Sequence, residues 1–104
     1  MAVEPTKSTT LTGVYQRLCT LYGADNTTRI PVGSVSANKV LLTVLTKAVD
    51  IAWGETAPAI AGHQIAVGDS YTLNGMDVIG LAWLRNTVVA DTATVIITAF
   101  QEFA

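Results

Sequence analysis

Charge is what this sequence has least of. Only 13% of its 104 residues are charged while 50% are hydrophobic, against roughly 25% charged in an ordinary soluble protein. A lone small domain exposes much of its surface, and this one has few charges with which to cover it. Thr fills part of the gap, being polar yet β-branched and suited to a half-buried pleated face. The composition therefore favours a surface partly covered by another copy or another protein. A neutral, Thr-coated monomer is the competing reading. Basic runs are missing too. Lys7, Arg17, Arg29, Lys39, Lys47 and Arg85 are scattered and the net charge is −2, so no nucleic-acid partner is expected. No apolar segment reaches the roughly 18–20 residues that span a bilayer, and no membrane partner is expected. The opening MAVEPTKSTT has neither the basic nor the apolar region of a secretory signal, which places synthesis in a cytoplasm.

Cysteine and histidine are each present once. Cys19 has no internal disulfide partner and reads as a small buried apolar group. His63 alone builds no His/His or Cys/His metal cluster within one subunit. It reads as a surface or turn residue, with a ligand or pH-switch role as the alternative. Ser34, Ser36 and Ser70 supply nominal nucleophiles, but no strand–turn–helix frame presents any of them. Asp25, Asp50, Asp69, Asp77 and Asp91 each sit at or beside a turn, where carboxylates bond turn backbone, and their spacing matches no calcium loop. Asn26-Thr27-Thr28 matches a glycosylation acceptor, which without a secretory route reads as chance. With no glycine-rich phosphate loop or CxxC pair, no catalytic, cofactor-binding or metal-binding residue is expected, and no enzyme.

What the chain does hold is strands. Lys39–Thr46 is the clearest: Val40, Leu42 and Val44 share one face, Leu41, Thr43 and Leu45 the other. Two apolar faces place it inside rather than at a rim. Val49–Trp53 follows, with Val49, Ile51 and Trp53 on one side. The segment Gly62–Phe100 reads as four short strands: Ile65 with Val67, then Tyr71 with Leu73, then Val78–Leu84, then Thr92–Phe100. Gly68-Asp69 and Asn74-Gly75 separate the first three, Asn-Gly being a tight-hairpin signal, and a looser link through Asn86–Asp91 precedes the last. Thr9–Thr20 reads as strand–bulge–strand around Gly13, although Leu11, Val14, Tyr15, Leu18 and Cys19 also fit a helical stripe. Tyr22–Thr28 is turn-like, Arg29–Val35 contains Pro31 and suits an edge or loop, and Ser34–Asn38 turns again. The charge-poor stretch 55–62 reads as an ordered loop packed on something.

Seven or eight strands with turn signals every 8–12 residues or so predict a single all-β domain, an antiparallel β-sandwich or jelly-roll-like barrel over residues 10–104. Residues 1–9, polar and containing Glu4-Pro5, read as a flexible arm that orders only when docked. Strand alternation puts Trp83 with Ile79 and Leu81, and Trp53 with Ile51, so both indoles are expected inside, with subunit contact as the competing role. The candidate interface residues are Pro5, Trp53, Pro58, Ile60, Trp83, Phe100 and Phe103.

Four stretches carry a resemblance. TLTGVYQRL (10–18), NKVLLTVLTKAVDIAWGE (38–55), IAVGDSYTLNG (65–75) and TATVIITAF (92–100) together resemble, in order and spacing, small tailed-bacteriophage virion proteins of β-sandwich or jelly-roll type. The likeness is one of pattern and carries no catalytic residue. It implies a structural virion protein of the capsid decoration (cement) type, on the surface of an assembled head, with itself as a homotrimer and the major capsid protein as partners. Tail, fibre or baseplate proteins of the same broad group are the alternative. A carbohydrate- or receptor-binding module, with Trp53, Trp83 or Tyr71 as an exposed stacking platform, is a reading of another class.

Overall fold

Alternation in Lys39–Val44 sends Val40, Leu42 and Val44 to one side, where all three are fully buried. The computed structural model, which describes residues 2–102, shows what they are buried against. Its elements in chain order are β1 (Ala2–Val3), β2 (Lys7–Thr10), β3 (Gln16–Arg17), α1 (Leu18–Tyr22), β4 (Pro31–Val32), β5 (Val35–Ser36) and β6 (Lys39–Val44). There follow β7 (Val49–Trp53), β8 (His63–Ile65), β9 (Ser70–Asn74), α2 (Met76–Gly80), β10 (Ala82–Asn86) and β11 (Thr94–Gln101). β6 is central in a front sheet ordered β9–β6–β11, with β2 and β1 both on the far edge of β11. The back sheet is ordered β3–β10–β7–β8. Every pairing is antiparallel.

Setting aside β1 and the β4–β5 hairpin leaves eight strands. The front sheet holds the first, eighth, third and sixth of them, the back sheet the second, seventh, fourth and fifth. That is jelly-roll order, the sandwich form of the all-β domain expected. Val95, Ile97 and Ala99 of β11 join the β6 residues across from Val49 and Ile51 of β7 and Ala82 and Leu84 of β10, all without exposed surface. Each fully buried Val, Leu or Ile contributes about 1.5–3 kcal/mol, and this two-sided layer holds the sheets together.

Several local expectations are corrected. Residues 2–10 are no free arm: Lys7–Thr10 pair with Ile97–Thr94, and Ala2 and Val3 with Gln101 and Phe100. Between them Glu4 N–H donates to the Ala99 carbonyl at 2.9 Å. The β-rich end of β11 has an open edge, and the polar stretch fills it. Thr9–Thr20 is no bulged strand. β2 and β3 belong to different sheets, and Leu11, 2% exposed, marks where the chain turns from one to the other. The helical alternative there survives only as the single turn α1.

Asn74-Gly75 makes no hairpin. β9 pairs with β6 up to Asn74↔Lys39 and then must cross to the back sheet. Gly75, at φ 102°, supplies the left-handed kink, and α2 makes the crossing, plugging the sandwich end with Ile79. The strand expected over 78–84 therefore begins only at Ala82, so its parity differs from a continuous run. Ala82, Leu84 and Asn86 point inward while Trp83 and Arg85 point outward.

Candidate interaction surfaces

The outer face of the back sheet is built from cross-strand pairs of cations and aromatics. Trp83 lies opposite Arg17 in the ladder, and the Arg17 guanidinium sits 4.5 Å from the indole ring centre. Beside them the Arg85 guanidinium lies 4.3 Å from the Tyr15 ring centre. Arg85 Nε also donates to Asp50 Oδ2 at 3.3 Å, and the Thr87 hydroxyl donates to Asp50 Oδ1 at 2.8 Å. Asp50 is thus no turn-capping carboxylate: it is a strand residue, 5% exposed, held by two side chains.

The chain covers this face itself. The stretch 55–62, expected to pack on something, packs here. Tyr15 Oη donates to the Ile60 carbonyl (3.0 Å), Trp83 Nε1 to the Gly54 carbonyl (2.9 Å) and Arg17 Nη2 to the Glu55 carbonyl (2.6 Å). Arg17 Nη1 reaches the Gly80 carbonyl at 3.1 Å, tying down α2 as well. Gly62 passes so close to the Ile51 carbonyl that a Cβ has no room.

The expected buried state of the two tryptophans needs correcting. Both are half-buried. Trp83 stands on the outer face under Arg17, an outcome of the parity shift at α2. Trp53 has the inward parity expected of it, but at the strand end, where Nε1 donates to the Val78 carbonyl at 2.9 Å. Its ring is tilted against His63 (6.2 Å between centroids) and Tyr71 (6.3 Å). Trp53 and His63, with Ile60 and Ala61, border a hollow of about 350 Å³. Trp53, Ile60 and half-buried Pro58 belong to this flank and its covering loop. The other candidates lie elsewhere: Pro5 at the β11 edge, accepting from Tyr22 Oη at 2.7 Å, and Phe100 on the front sheet. Phe103 is outside the described residues. The six described candidates do not form one patch.

The front sheet's outer face is the counterpart. Its registered rows run Thr98–Leu41–Thr72, then Ser8–Ile96–Thr43–Ser70, then Thr10–Thr94 with Leu45 alongside. Hydroxyls pair with one another, Thr43 with Ser70 at 2.8 Å and Thr6 with Thr98 at 2.7 Å. Among the outward strand positions of β2, β11, β6 and β9 only Lys39 is charged, and it is neutralised by Glu102 at 3.1 Å at one corner. No part of the described chain crosses this face. β6, expected inside because both its faces are apolar, is inside the sheet order, yet Leu41 stays 38% and Leu45 43% exposed.

A third surface sits at one end, where four loops converge. Asn86 organises it from within. Fully buried, it takes the Ala93 N–H on Oδ1 at 3.0 Å and donates through Nδ2 to the carbonyls of Leu11 and Asp91. The two loops so held present Val14, Val88 and Val89, and the 66–69 loop, tied to Val44 by the Gly68 N–H at 2.8 Å, adds Val67, each more than half exposed. Nothing in the sequence pattern singles out Asn86, because one of its partner segments, at Leu11, lies 75 residues away.

Among the described residues no group of three or more His, Cys, Asp or Glu side chains comes together, and no helix is long and apolar enough to cross a membrane. Cys19 is fully buried, and burial pushes its thiol up to about 11. No family model, curated protein or solved structure matches the chain. The likeness to phage virion proteins therefore rests on sequence pattern alone.

Proposed function

We propose that this chain is a structural virion protein of a tailed phage, a decoration protein that binds the outside of the assembled head and holds it together. The observation that carries the reading is the loop end. Val14, Val67, Val88 and Val89 are exposed on a jelly-roll frame, the first, third and fourth on loops that the buried Asn86 ties down. Apolar tips held rigidly are contact residues of a protein meant to sit on another, since ordering them on binding costs little. The pattern resemblance and the scarcity of charge support the same role. Stabilisation follows from mass action: a protein that binds assembled shells and not free capsid subunits shifts the equilibrium toward the shell. An oligomer that grips several capsid subunits at once adds effective concentration.

The sugar-binding alternative draws little support. Trp83 has Arg17 on its ring, and Trp53 is engaged by His63 and Tyr71, so neither offers a free stacking platform.

The test is cosedimentation with heads assembled from the major capsid protein of the same phage. Saturable binding to heads, absent with unassembled capsid subunits, is expected. Val14→Asp with Val89→Asp should lose it while keeping the wild-type circular dichroism spectrum. Protein that stays in the supernatant contradicts the reading, and binding to isolated tails instead moves the protein to the tail.

A further inference from the structure

We infer that the outer face of the front sheet is the contact between two copies of this chain, packed face to face about a twofold axis. The inference stands apart from the capsid reading, since a monomer can coat a shell and a dimer can serve elsewhere.

Charge singles out the face. The chain has 6 basic and 8 acidic residues, 14 in all, and the outward strand positions here hold one, Lys39, already paired with Glu102. A charge-free face gains nothing from a charged partner and strips that partner of water at a cost. It is matched by a charge-free face, and the chain supplies an identical one at equal concentration. Hydroxyl chemistry agrees. Thr43 with Ser70 and Thr98 with Thr6 already share a hydrogen bond within the face, which lowers the cost of burying those hydroxyls. The methyl groups of the threonines and the side chains of Leu41 and Ile96 are left to interdigitate.

Size sets the strength. The four strands, of four, eight, six and five residues and about 4.8 Å apart, span about 400 Å² on each copy, so about 800 Å² in the pair. That falls short of the roughly 1,000 Å² of a stable interface and fits weak pairing, in the range of about 100 μM. Symmetry follows from the same face being used twice: such a contact is isologous and closes as a dimer, whereas a trimer needs two different faces in contact. A twofold assembly of this kind is an alternative to the threefold one implied by the phage resemblance.

Sedimentation equilibrium of the full chain, from about 10 μM to about 1 mM, reads this directly. The mass is expected to rise from 10.9 kDa toward twice that value. Thr43→Lys puts a charge at the centre of the face and should weaken pairing at least tenfold, with an unchanged circular dichroism spectrum. Ser70→Lys, at an exposed edge position, is the second variant should the first not fold. Gln64→Lys, on the back sheet, should pair like wild type. A monomer throughout the range, a trimer, or lysine variants that pair as well as wild type would each overturn the inference.

Discussion

Two sheets of one sandwich, made by one chain, treat their outer faces in opposite ways. The back sheet gathers Arg17, Arg85, Asp50, Tyr15 and Trp83 and then lays residues 54–62 across them. The front sheet gathers Thr, Ser, Leu and Ile and is left bare. The contrast follows from what each face needs. Asp50 and Arg85 hold each other within the sheet, while the Arg17 guanidinium, the Trp83 N–H and the Tyr15 hydroxyl require fixed acceptors, and a covalently attached loop supplies them without the entropy of association. A face of methyls and self-paired hydroxyls requires only something equally neutral, which a second molecule can provide.

Substitution should therefore damage the two faces in different currencies, fold on one side and assembly on the other. The largest effect is expected from Arg85→Ala. It strands Asp50, 5% exposed, without its cation, and should cost about 2–3 kcal/mol in a urea melt, below the full buried-pair range because Arg85 is partly solvated. Next comes Gly62→Ala. The added methyl collides with the Ile51 carbonyl and pushes the cover off. A loss of about 2 kcal/mol should come with a red shift of tryptophan emission as Trp83 loses its partner at Gly54. Arg17→Ala removes bonds to the Gly80 and Glu55 carbonyls and should cost about 1–2 kcal/mol, with faster proteolysis within 54–62. Leu41→Lys, on the bare face, should change fold stability by no more than about 0.5 kcal/mol while reducing pairing. If Leu41→Lys unfolds the chain and Arg85→Ala does not, the contrast between the faces is wrong.

The smallest effect concerns the core between the sheets. Burial holds the Cys19 thiol protonated up to about 11, from an ordinary value of 9.0. Below the ordinary value both states keep the proton and stability is unaffected. As pH rises from there, the unfolded chain ionises first, so stability should fall until the folded thiol also ionises. Cys19→Ala should remove that part of the alkaline slope in thermal melts.

How far the sequence revealed this depended on whether a signal was local. β6, β7 and β11 alternate along their own length, and their inward residues are those the alternation selects. The jelly-roll order was readable only as a class, because pairing partners as far apart as Ala2 and Gln101 leave no trace in spacing. Asn74-Gly75 signalled a turn correctly and its type wrongly: a hairpin needs both strands in one sheet, and β9 and β10 are in different ones. That same crossing shifted the parity of Trp83. The arm was misread because its polarity describes an edge strand as well as a loose one. Of the candidate surfaces, the cover over 55–62 was visible as a charge-poor ordered loop. The bare front face was hidden, since β6 looked apolar on both sides and so looked buried.

The bare face is also where the account is most exposed. Thr43→Cys carrying a spin label, with the fully buried, protonated Cys19 left unlabelled, measures it directly by pulsed electron spin resonance. Face-to-face sheets stand about 10 Å apart, so a single intermolecular distance well under about 30 Å is predicted at concentrations where the mass is that of a dimer. The same label at Gln64, on the covered side, should show only longer separations. A short distance at Gln64 with none at Thr43 would contradict the account.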